Sequence, residues 1–458
     1  MKRKALCALM LVPAMAFTIG SLSACDLTAG NTEKYVISVE QEAGDTQDKI
    51  IIYYSDGTSE TLTVTHGKDG KDGKDGESAP VSADDLYEKY VKEGGTLTYE
   101  EFLQKYLSAN EDFSYAAARA LQSSMKVYVE TANGSLYSGS AVIYQMDDAS
   151  TYILTNYHVV FPLNSDLPLS VKAYLYGSEY KPAKSGTSIV YGESALDCEY
   201  IGGAATCDVV VLRIDTPALK AINPDARAAV CAEEEAHVGQ SVIAIGNAES
   251  EGISVTKGIV SMEDEDIELR VSGKNNVYRA LRIDAALYEG NSGGGLFNGK
   301  GELIALNNAG GGSDNQNINY SIPLPILTGI ADNILYHHAQ NSSQHSGYKI
   351  TVGVTVKETS SKYVFDSNKG YGRIYADITV DSVTAHSIAS NLQLSAGDVL
   401  LAMNVNGNKI PLRRSFVISD ILLTVRAGDK ISFDYLRADK KSTTQEYTVQ
   451  QSDLNAIS

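Results

Sequence analysis

Ser292 lies in a setting suited to a nucleophile, within Gly290-Asn291-Ser292-Gly293-Gly294. A hydroxyl nucleophile needs an adjacent base, and that base needs a carboxylate that orients it. The reaction also needs donors for the oxyanion that forms. Because glycines let the backbone turn tightly, the N–H groups of Gly290 and Ser292, together with Asn291 between them, can face one oxygen. The segment therefore predicts a nucleophile turn with an oxyanion hole.

One histidine and one aspartate have matching contexts. Of the seven histidines, only His158 follows an apolar strand and stands on a turn. Asp208 begins the apolar run Val209 to Ile214, and a carboxylate at the mouth of a buried strand is costly without a hydrogen-bonding partner. The rival acid, Asp197, lacks such a run. We therefore expect a triad of His158, Asp208 and Ser292.

A second reading of the glycine-flanked serine is the nucleophile elbow of α/β-hydrolases. That elbow requires a helix after the serine, with its acid and histidine further along the chain. Residues 296–304 instead have the pattern of strand, turn and strand, and no suitable histidine follows. The elbow is excluded.

The elements that must position these residues are short strands. From 113 to 340, apolar runs alternate with turn residues and long helical patterns are scarce, which predicts paired β-barrels. The fold class expected is mainly β, with a two-barrel domain over 113–340 and a smaller β-rich domain over 347–458.

The order histidine, aspartate, serine resembles that of trypsin-like peptidases with the chymotrypsin fold, and the HtrA/DegP group is the nearest. The resemblance covers residues 113 to about 340. It implies a serine endopeptidase that forms an acyl-enzyme and needs no cofactor. It also implies that the substrates are unfolded or damaged proteins outside the cytoplasmic membrane, with a homotrimer as one option for the oligomeric state. The motifs that carry it are Thr155-Asn156-Tyr157-His158-Val159-Val160, Asp208-Val209-Val210-Val211-Leu212, Ile245-Gly246-Asn247, Gly258-Ile259-Val260-Ser261, Ile283-Asp284-Ala285-Ala286, Gly290-Asn291-Ser292-Gly293-Gly294 and Asn319-Tyr320-Ser321-Ile322-Pro323.

Two departures flank the nucleophile turn. Tyr288-Glu289 stands where the group usually has Asn-Pro, and Gly295 stands where Pro usually follows the glycine pair. Both bear on the level of activity and its regulation, while the expected triad is intact.

The same resemblance implies a specificity pocket. In trypsin-like enzymes the residue six before the nucleophile lines the base of this pocket, and here it is Ala286. The wall is expected from Asn307, Asn308 and Ala309. An uncharged base predicts cleavage after small aliphatic residues.

Residues 347–458, after a polar linker at 341–346, resemble a PDZ domain. A PDZ domain binds peptide C-termini or strands by adding them to a sheet edge. The alternative is a generic small β-domain. The motifs are Val352-Gly353-Val354, Leu394-Ser395-Ala396-Gly397-Asp398-Val399-Leu400, Asn406-Gly407 and Ala427-Gly428-Asp429-Lys430-Ile431.

The N-terminus has the pattern of an exported lipoprotein. Residues 1–24 contain a basic segment, an apolar stretch and small residues leading to Cys25, which predicts cleavage and lipidation there. An ordinary signal peptide or an anchor helix is the alternative. Acyl chains on Cys25 would hold the protein to the outer face of a bacterial membrane, most simply at a Gram-positive cell surface.

Three further segments precede the protease domain. Residues 25–66 predict a small β-hairpin segment, because Asp56-Gly57 separates two alternating runs. Residues 67–82 predict a flexible spacer, because Gly67 to Gly76 has Gly at every third position without Pro, in too few triplets for a stable triple helix. Residues 83–112 predict a pair of short helices.

Charge and cysteine content exclude other functions. Loss of Lys2, Arg3 and Lys4 with the leader takes the formal charge from −19 to −22, which argues against nucleic acid as a partner. No cysteine and histidine spacing indicates a metal. Cys198 and Cys207 could form a disulfide or remain buried thiols. Two rival functions are a chaperone or peptide binder on a protease fold, and a surface adhesion protein.

Overall fold

The computed structural model describes most of the chain from residue 36 onward. The predicted leader, Cys25 and the spacer at 67–82 lie outside the described residues. Within them, no helix combines the length and apolar character needed to cross a membrane. The chain divides into two compact units, 1–82 and 83–458. The described residues are 36–42, 47–54, 58–65, 83–92, 96, 98–102, 113–162, 168–178, 181–186, 188–271, 274–310, 317–367 and 369–457.

The first unit contains a three-stranded antiparallel sheet. Its strands are β1 (Val36–Glu42), β2 (Gln47–Tyr54) and β3 (Ser59–Thr65), paired in the order β1-β2-β3. Strands β2 and β3 pair in antiparallel fashion, as the expected hairpin requires, whereas its Asp56-Gly57 turn lies outside the described residues.

The second unit begins with short helices, α1 (Ala83–Lys92), α2 (Tyr99–Phe102) and α3 (Ser114–Leu121). The Tyr87 ring packs against Phe102, with 5.4 Å between ring centroids, which joins α1 to α2. The helix α3 buries Ala116 and Ala120 in the main core.

A seven-stranded antiparallel sheet follows and carries the histidine and the aspartate. Its order is β10-β7-β4-β5-β6-β12-β11, and β8 pairs with β9 beside it. The elements of this region are β4 (Ser124–Glu130), β5 (Leu136–Met146), β6 (Ser150–Thr155), α4 (Tyr157–Val160), β7 (Ser170–Leu175), β8 (Ala183–Ser185), β9 (Ser188–Val190), β10 (Leu196–Asp197), β11 (Glu199–Ala204), β12 (Val209–Asp215) and α5 (Thr216–Ile222).

A closed six-stranded barrel carries the serine, with strands in the order β13-β14-β15-β18-β17-β16. The mainly-β prediction is confirmed. Of the two predicted barrels, this one closes, whereas β10 and β11 remain at opposite edges of the first sheet. The strands are β13 (Ser241–Gly246), β14 (Ser254–Val271), β15 (Lys274–Ile283), β16 (Gly295–Asn298), β17 (Leu303–Gly310) and β18 (Asn319–Pro323).

A single core joins the sheet to the barrel. It contains Leu154 and Val211 from the sheet and Ile243 and Phe297 from the barrel, all almost completely buried. Burial of such side chains contributes about 1.5–3 kcal/mol each. The shared core fixes the distance between the elements that carry His158 and Ser292.

The long helix α6 leads into a C-terminal sheet with a core of its own. That sheet has the order β20-β21-β22-β24-β25, and β19 pairs separately with β27. The elements are α6 (Leu324–Gln340), β19 (Gly347–Ile350), β20 (Val354–Asp366), β21 (Tyr371–Val383), α7 (Ile388–Asn391), β22 (Val399–Val405), β23 (Asn408–Pro411), α8 (Phe416–Thr424), β24 (Lys430–Arg437), β25 (Lys440–Thr443), β26 (Tyr447–Thr448) and β27 (Leu454–Ile457).

The C-terminal region is joined to the barrel by buried ion pairs. Arg279 of β15 donates to Asp420 of α8 at 2.5 Å, and Arg373 of β21 donates to Glu263 of β14 at 2.6 Å. The guanidinium of Arg279 also lies 4.0 Å from the centroid of the Phe416 ring, a cation–π arrangement. These contacts explain why residues 83–458 form one compact unit.

The predicted linker at 341–346 is docked onto the first sheet. The carbonyl oxygen of His345 accepts the backbone N–H of Gly203 at 2.9 Å, and His345 Nδ1 lies 2.8 Å from the carbonyl oxygen of Ile201. A side chain at Gly202 would meet the His345 carbonyl at 2.6 Å, so glycine permits this close approach.

Candidate active site

His158 and Asp208 are held together by two hydrogen bonds. Strand β6 ends at Thr155, and His158 lies in the single turn α4 that follows. Its Nδ1 is 2.7 Å from Asp208 Oδ2, and its backbone N–H donates to Asp208 Oδ1 at 2.9 Å. One residue therefore contacts both oxygens of a carboxylate that is completely buried.

The backbone at Asp208 has an unusual conformation. It lies in the left-handed region, with φ 54° and ψ 43°, directly before β12. This costs an L-residue about 1–2 kcal/mol. The Asp208 carbonyl oxygen accepts hydrogen bonds from Asn156 Nδ2 at 2.9 Å and from the Tyr157 backbone N–H at 3.2 Å, and both stabilise the conformation.

The basicity of His158 depends on this pairing. Burial lowers the pKa of the imidazole, while the charge of Asp208 and its hydrogen bond raise it, and the net pKa lies above the usual value of 6.5. His158 is partly exposed, whereas Asp208 is buried. The exposed side of the ring is available to a substrate.

The nucleophile turn requires glycine at two positions. Gly290 has φ +94° and Gly293 has φ +84°. A Cβ at Gly290 would lie 2.2 Å from the carbonyl oxygen of Asn247, and one at Gly293 would lie 2.2 Å from that of Ser140. Both positions exclude a side chain, as the tight turn predicted from the sequence implies.

The turn leaves two backbone donors unused. Among the residues that the structure describes, the N–H groups of Gly290 and Ser292 donate to no protein acceptor, whereas the Asn291 N–H donates to the Tyr288 carbonyl at 3.0 Å. Of the three residues expected to form the oxyanion hole, only these two offer a free N–H group. The Asn291 side chain is buried.

Ser140 of β5 fastens the turn from the neighbouring sheet. Its hydroxyl donates to the Gly290 carbonyl at 2.7 Å and accepts the Asn247 backbone N–H at 2.8 Å. Its own N–H donates to the Ser292 carbonyl at 2.9 Å. Sequence reasoning missed Ser140, because a serine within a strand has no distinctive signal.

Ser292 and His158 belong to the same site but are not hydrogen-bonded to each other in the described structure. Ser292 Oγ instead donates to the carbonyl oxygen of Asn308 at 2.8 Å. The hydrogen bond between His158 and Asp208 is formed, whereas the Ser292 hydroxyl is bonded to Asn308 and not to His158.

The two asparagines expected in the pocket wall have their side chains engaged within the fold. Asn307 Nδ2 donates to the Gly295 carbonyl at 3.0 Å, and Asn308 Nδ2 donates to Asp208 Oδ2 at 2.5 Å. A β-bulge between Asn307 and Ala309 rotates Asn308 toward the aspartate. We therefore assign neither asparagine side chain to the specificity pocket.

The remaining pocket residues lie before the nucleophile. Ala286 is partly buried, and its carbonyl oxygen accepts a hydrogen bond from the Thr256 hydroxyl at 2.8 Å. Asp284 is exposed, and its Oδ1 accepts the Ile259 backbone N–H at 2.6 Å. The side chain of Ala309 lies outside the described part of the structure.

Neither a disulfide nor a metal-binding cluster occurs in the described residues. Cys198, Cys207 and Cys231 are free thiols, so the disulfide considered for Cys198 and Cys207 is absent. Burial raises the pKa of Cys231 to about 11, which keeps it protonated at neutral pH. No group of three metal-ligating side chains is found over the described ranges.

Comparison with known proteins agrees with the geometry. The family profile described as "Trypsin-like peptidase domain" matches residues 139–306. The chain is 27% identical over 351 residues to the serine endoprotease DegS of Escherichia coli K12, covering 74% of this chain and 86% of that protein. It is 27% identical over 326 residues to the periplasmic serine endoprotease DegP of the same strain, covering 70% of this chain and 58% of that protein.

A solved structure, the HtrA-type protease AlgW with tripeptide, is also similar to this chain. It has 24% sequence identity and a TM-score of 0.48, covering 75% of this chain and 97% of that one. The trypsin-like domain and the HtrA-like serine endoprotease relatives establish that this chain is a serine endopeptidase.

Proposed function

We propose that this serine endopeptidase uses Ser292 as nucleophile, His158 as general base and Asp208 as the carboxylate that orients the base. The observation that carries the proposal is the double contact of His158 with the buried Asp208 carboxylate. With Nδ1 donating to Asp208, the lone pair of Nε2 is free to take the serine proton. The carboxylate then stabilises the imidazolium that forms.

Acylation requires a change at the serine. The Oγ must leave the Asn308 carbonyl and turn toward His158 Nε2, a side-chain rotation between staggered rotamers. Oγ then attacks the peptide carbonyl, its proton passes to His158, and the same proton passes to the leaving amine. A water molecule repeats the sequence on the acyl-enzyme and regenerates Ser292.

The oxyanion hole in this proposal consists of the N–H groups of Gly290 and Ser292. Neither N–H group donates to an acceptor in the part of the chain that the structure describes, which supports this assignment. The sequence analysis also included Asn291 in the oxyanion hole. Asn291 supplies no backbone donor, because its N–H group donates to the Tyr288 carbonyl oxygen. A preorganised donor of this kind contributes about 10²–10³ in kcat.

Substrates are proposed to be unfolded or damaged polypeptides on the outer side of the membrane of a bacterium. Relatives described as a serine endoprotease and a periplasmic serine endoprotease support this class and location. Anchoring through lipid on Cys25 follows from the leader sequence. The net charge of −19 supports an acidic surface that does not bind nucleic acid.

The C-terminal region is proposed to bind extended peptides in the manner of a PDZ domain. Its strand β20 pairs only with β21, so one edge of a long strand is open in the described structure. An open edge offers unpaired N–H and C=O groups to a peptide strand or C-terminus.

Small aliphatic residues are proposed at the cleaved position, with Ala286 at the base of the pocket. The bond of the Asp284 carboxylate to the Ile259 backbone supports an uncharged pocket, because it directs this carboxylate to β14. Digestion of an unfolded protein with mapping of cleavage sites tests this. Cuts mainly after Val, Ala and Ile are expected, and cuts mainly after Lys or Arg would refute it.

A fluorophosphonate probe tests the triad directly. Wild-type protein is expected to be labelled, and Ser292→Ala is expected to lose labelling and proteolysis together. Ser382→Ala, at an exposed position on β21, is the control and should be labelled like the wild type. Labelling that persists in Ser292→Ala would assign the nucleophile elsewhere. Wild-type protein that is never labelled would favour the rival peptide-binding function.

A further inference from the structure

The carboxylate of Asp208 has a third hydrogen-bond donor besides the two from His158. Asn308 Nδ2 donates to Oδ2 at 2.5 Å, the same oxygen that pairs with His158 Nδ1. Asn308 is 2% exposed, so this bond is protected from water. Charge-assisted hydrogen bonds of this kind are about twice as strong as neutral ones.

The orientation of the Asn308 amide is set from a third strand. Tyr278 of β15 donates its hydroxyl to Asn308 Oδ1 at 2.8 Å. An amide presents oxygen on one side and NH₂ on the other, so a donor at Oδ1 directs the NH₂ group to the carboxylate. Tyr278 is itself buried. This burial, and to a lesser extent the charge of Asp208, raises the pKa of the phenol and keeps the hydroxyl protonated.

The main chain of Asn308 also contacts the nucleophile. Its carbonyl oxygen accepts the Ser292 hydroxyl, while its side chain holds Asp208. Because the β-bulge places this one residue against both ends of the triad, a shift of Asn308 would disturb both.

We propose that Tyr278 and Asn308 form a positioning pair for Asp208, in which Tyr278 fixes the Asn308 amide and Asn308 fixes the carboxylate against His158. The pair touches neither substrate nor reacting atoms through its side chains. It acts through Asp208, and the inference therefore rests on the proposed triad.

The pair has a measurable effect on the base. Asn308 shares Oδ2 with His158, so it withdraws part of the negative charge that stabilises the imidazolium. Loss of the Asn308 donor should therefore raise the pKa of His158 further, while the freed carboxylate rotates and misplaces the ring. The expected signature is a lower kcat together with an acid limb of the pH profile that moves to higher pH.

The experiment measures kcat, KM and the pH dependence of kcat/KM for full-length protein on a nitrophenyl ester. Tyr278→Phe should lower kcat about tenfold, with KM within twofold. Asn308→Ala should lower kcat about 100-fold and move the acid limb upward. The double variant should equal Asn308→Ala alone, because the phenol acts only through the amide.

Tyr174→Phe is the matched control. Like Tyr278, Tyr174 of β7 is buried, and its hydroxyl donates to the Tyr191 carbonyl at 2.6 Å. It should lower the unfolding midpoint as Tyr278→Phe does and leave kcat and the acid limb unchanged. If Asn308→Ala fails to fold, Tyr278→Phe, which loses a single oxygen atom, carries the test.

Two failures can be told apart with Ser292→Ala. If that variant is inactive while Tyr278→Phe and Asn308→Ala keep kcat and the acid limb of the wild type, the pair has only a structural role and the inference is wrong. If Ser292→Ala keeps full activity, the proposed function itself fails. Additive losses in the double variant would also overturn the relay from Tyr278 through Asn308.

Discussion

Replacement of Gly290 by alanine should strain the backbone and also displace an oxyanion donor, and comparison with Gly428→Ala separates the two effects. A Cβ at this position would lie 2.2 Å from the Asn247 carbonyl oxygen, so one of the two backbones must move by about 0.8 Å to restore the roughly 3.0 Å of a tight contact. Asn247 is buried, and Ser140 and Gly252 bond its N–H and its side chain. The nucleophile turn is therefore the part that moves.

The size of the effect follows from two separate costs. A positive φ costs alanine about 1–2 kcal/mol of unfolding free energy. Displacement of the Gly290 N–H should lower kcat about 10²- to 10³-fold, the loss expected for one oxyanion donor. KM should change little, because the donor acts on charge that develops in the transition state.

Gly428 provides a matched control within the same chain. It has the same φ of +94°, and a Cβ there would meet nothing within 4 Å. Gly428→Ala should lose about 1–2 kcal/mol of unfolding free energy and keep full activity. Urea unfolding and steady-state kinetics on a nitrophenyl ester measure both quantities. If Gly290→Ala keeps kcat within threefold of Gly428→Ala, the Gly290 N–H does not bind the oxyanion.

Four further predictions concern the pH dependence of activity, the loss of Arg279, the titration of Asp420 and the lipid anchor. Because the pKa of His158 lies above 6.5, kcat/KM should fall as pH drops through that raised value. Asp208→Asn removes the charge that raises this pKa, so the acid limb of the kcat/KM profile should move to lower pH. The same change should lower kcat about 10⁴-fold, as the equivalent change does in a chymotrypsin-like protease. Arg279→Ala should cost about 3–5 kcal/mol in urea unfolding at pH 7.5, since it leaves Asp420 buried without its partner, and a loss below 1 kcal/mol would contradict this. Burial raises the pKa of Asp420 to about 6, so between pH 7 and 5 the folded state takes up a proton that the unfolded state does not. The free energy of unfolding of wild type relative to Asp420→Asn should therefore rise by about 1 kcal/mol as pH falls from 7 to 5, and no rise would contradict this. Cys25→Ser should release or misprocess the protein, and a variant that stays in the membrane fraction with wild-type mass and acyl label would refute lipidation at Cys25.

Much of the site and fold could be predicted from local sequence. Glycines at 290 and 293 indicate positions where no side chain fits, and the structure places both at positive φ. The short apolar runs predict strands because alternation and turn residues act over a few positions. The enzyme class follows for the same reason, since each chemical group lies in a short segment with its own pattern.

Tertiary structure alone decided the features that depend on strand register and on distant partners. Asn307 and Asn308 are identical neighbours, and only the β-bulge between β17 and β18 sends one to the Gly295 carbonyl and the other to Asp208. Tyr278 lies 30 positions before Asn308, and its hydroxyl reaches the amide only in the folded barrel, where β15 and β17 lie on either side of β18.

The same distinction applies to the larger parts of the protein. The sequence by itself determined that the chain is rich in strands, that its apolar runs build more than one core, and that a histidine, an aspartate and a glycine-flanked serine occur in that order. It did not determine the bond of Ser292 to Asn308, the sheet that stays open beside the closed barrel, or the docking of the C-terminal region through Arg279 and Asp420. The physical reason is separation along the chain: these contacts join residues 16 to 141 positions apart, and no local pattern of residues encodes which of many distant partners will meet.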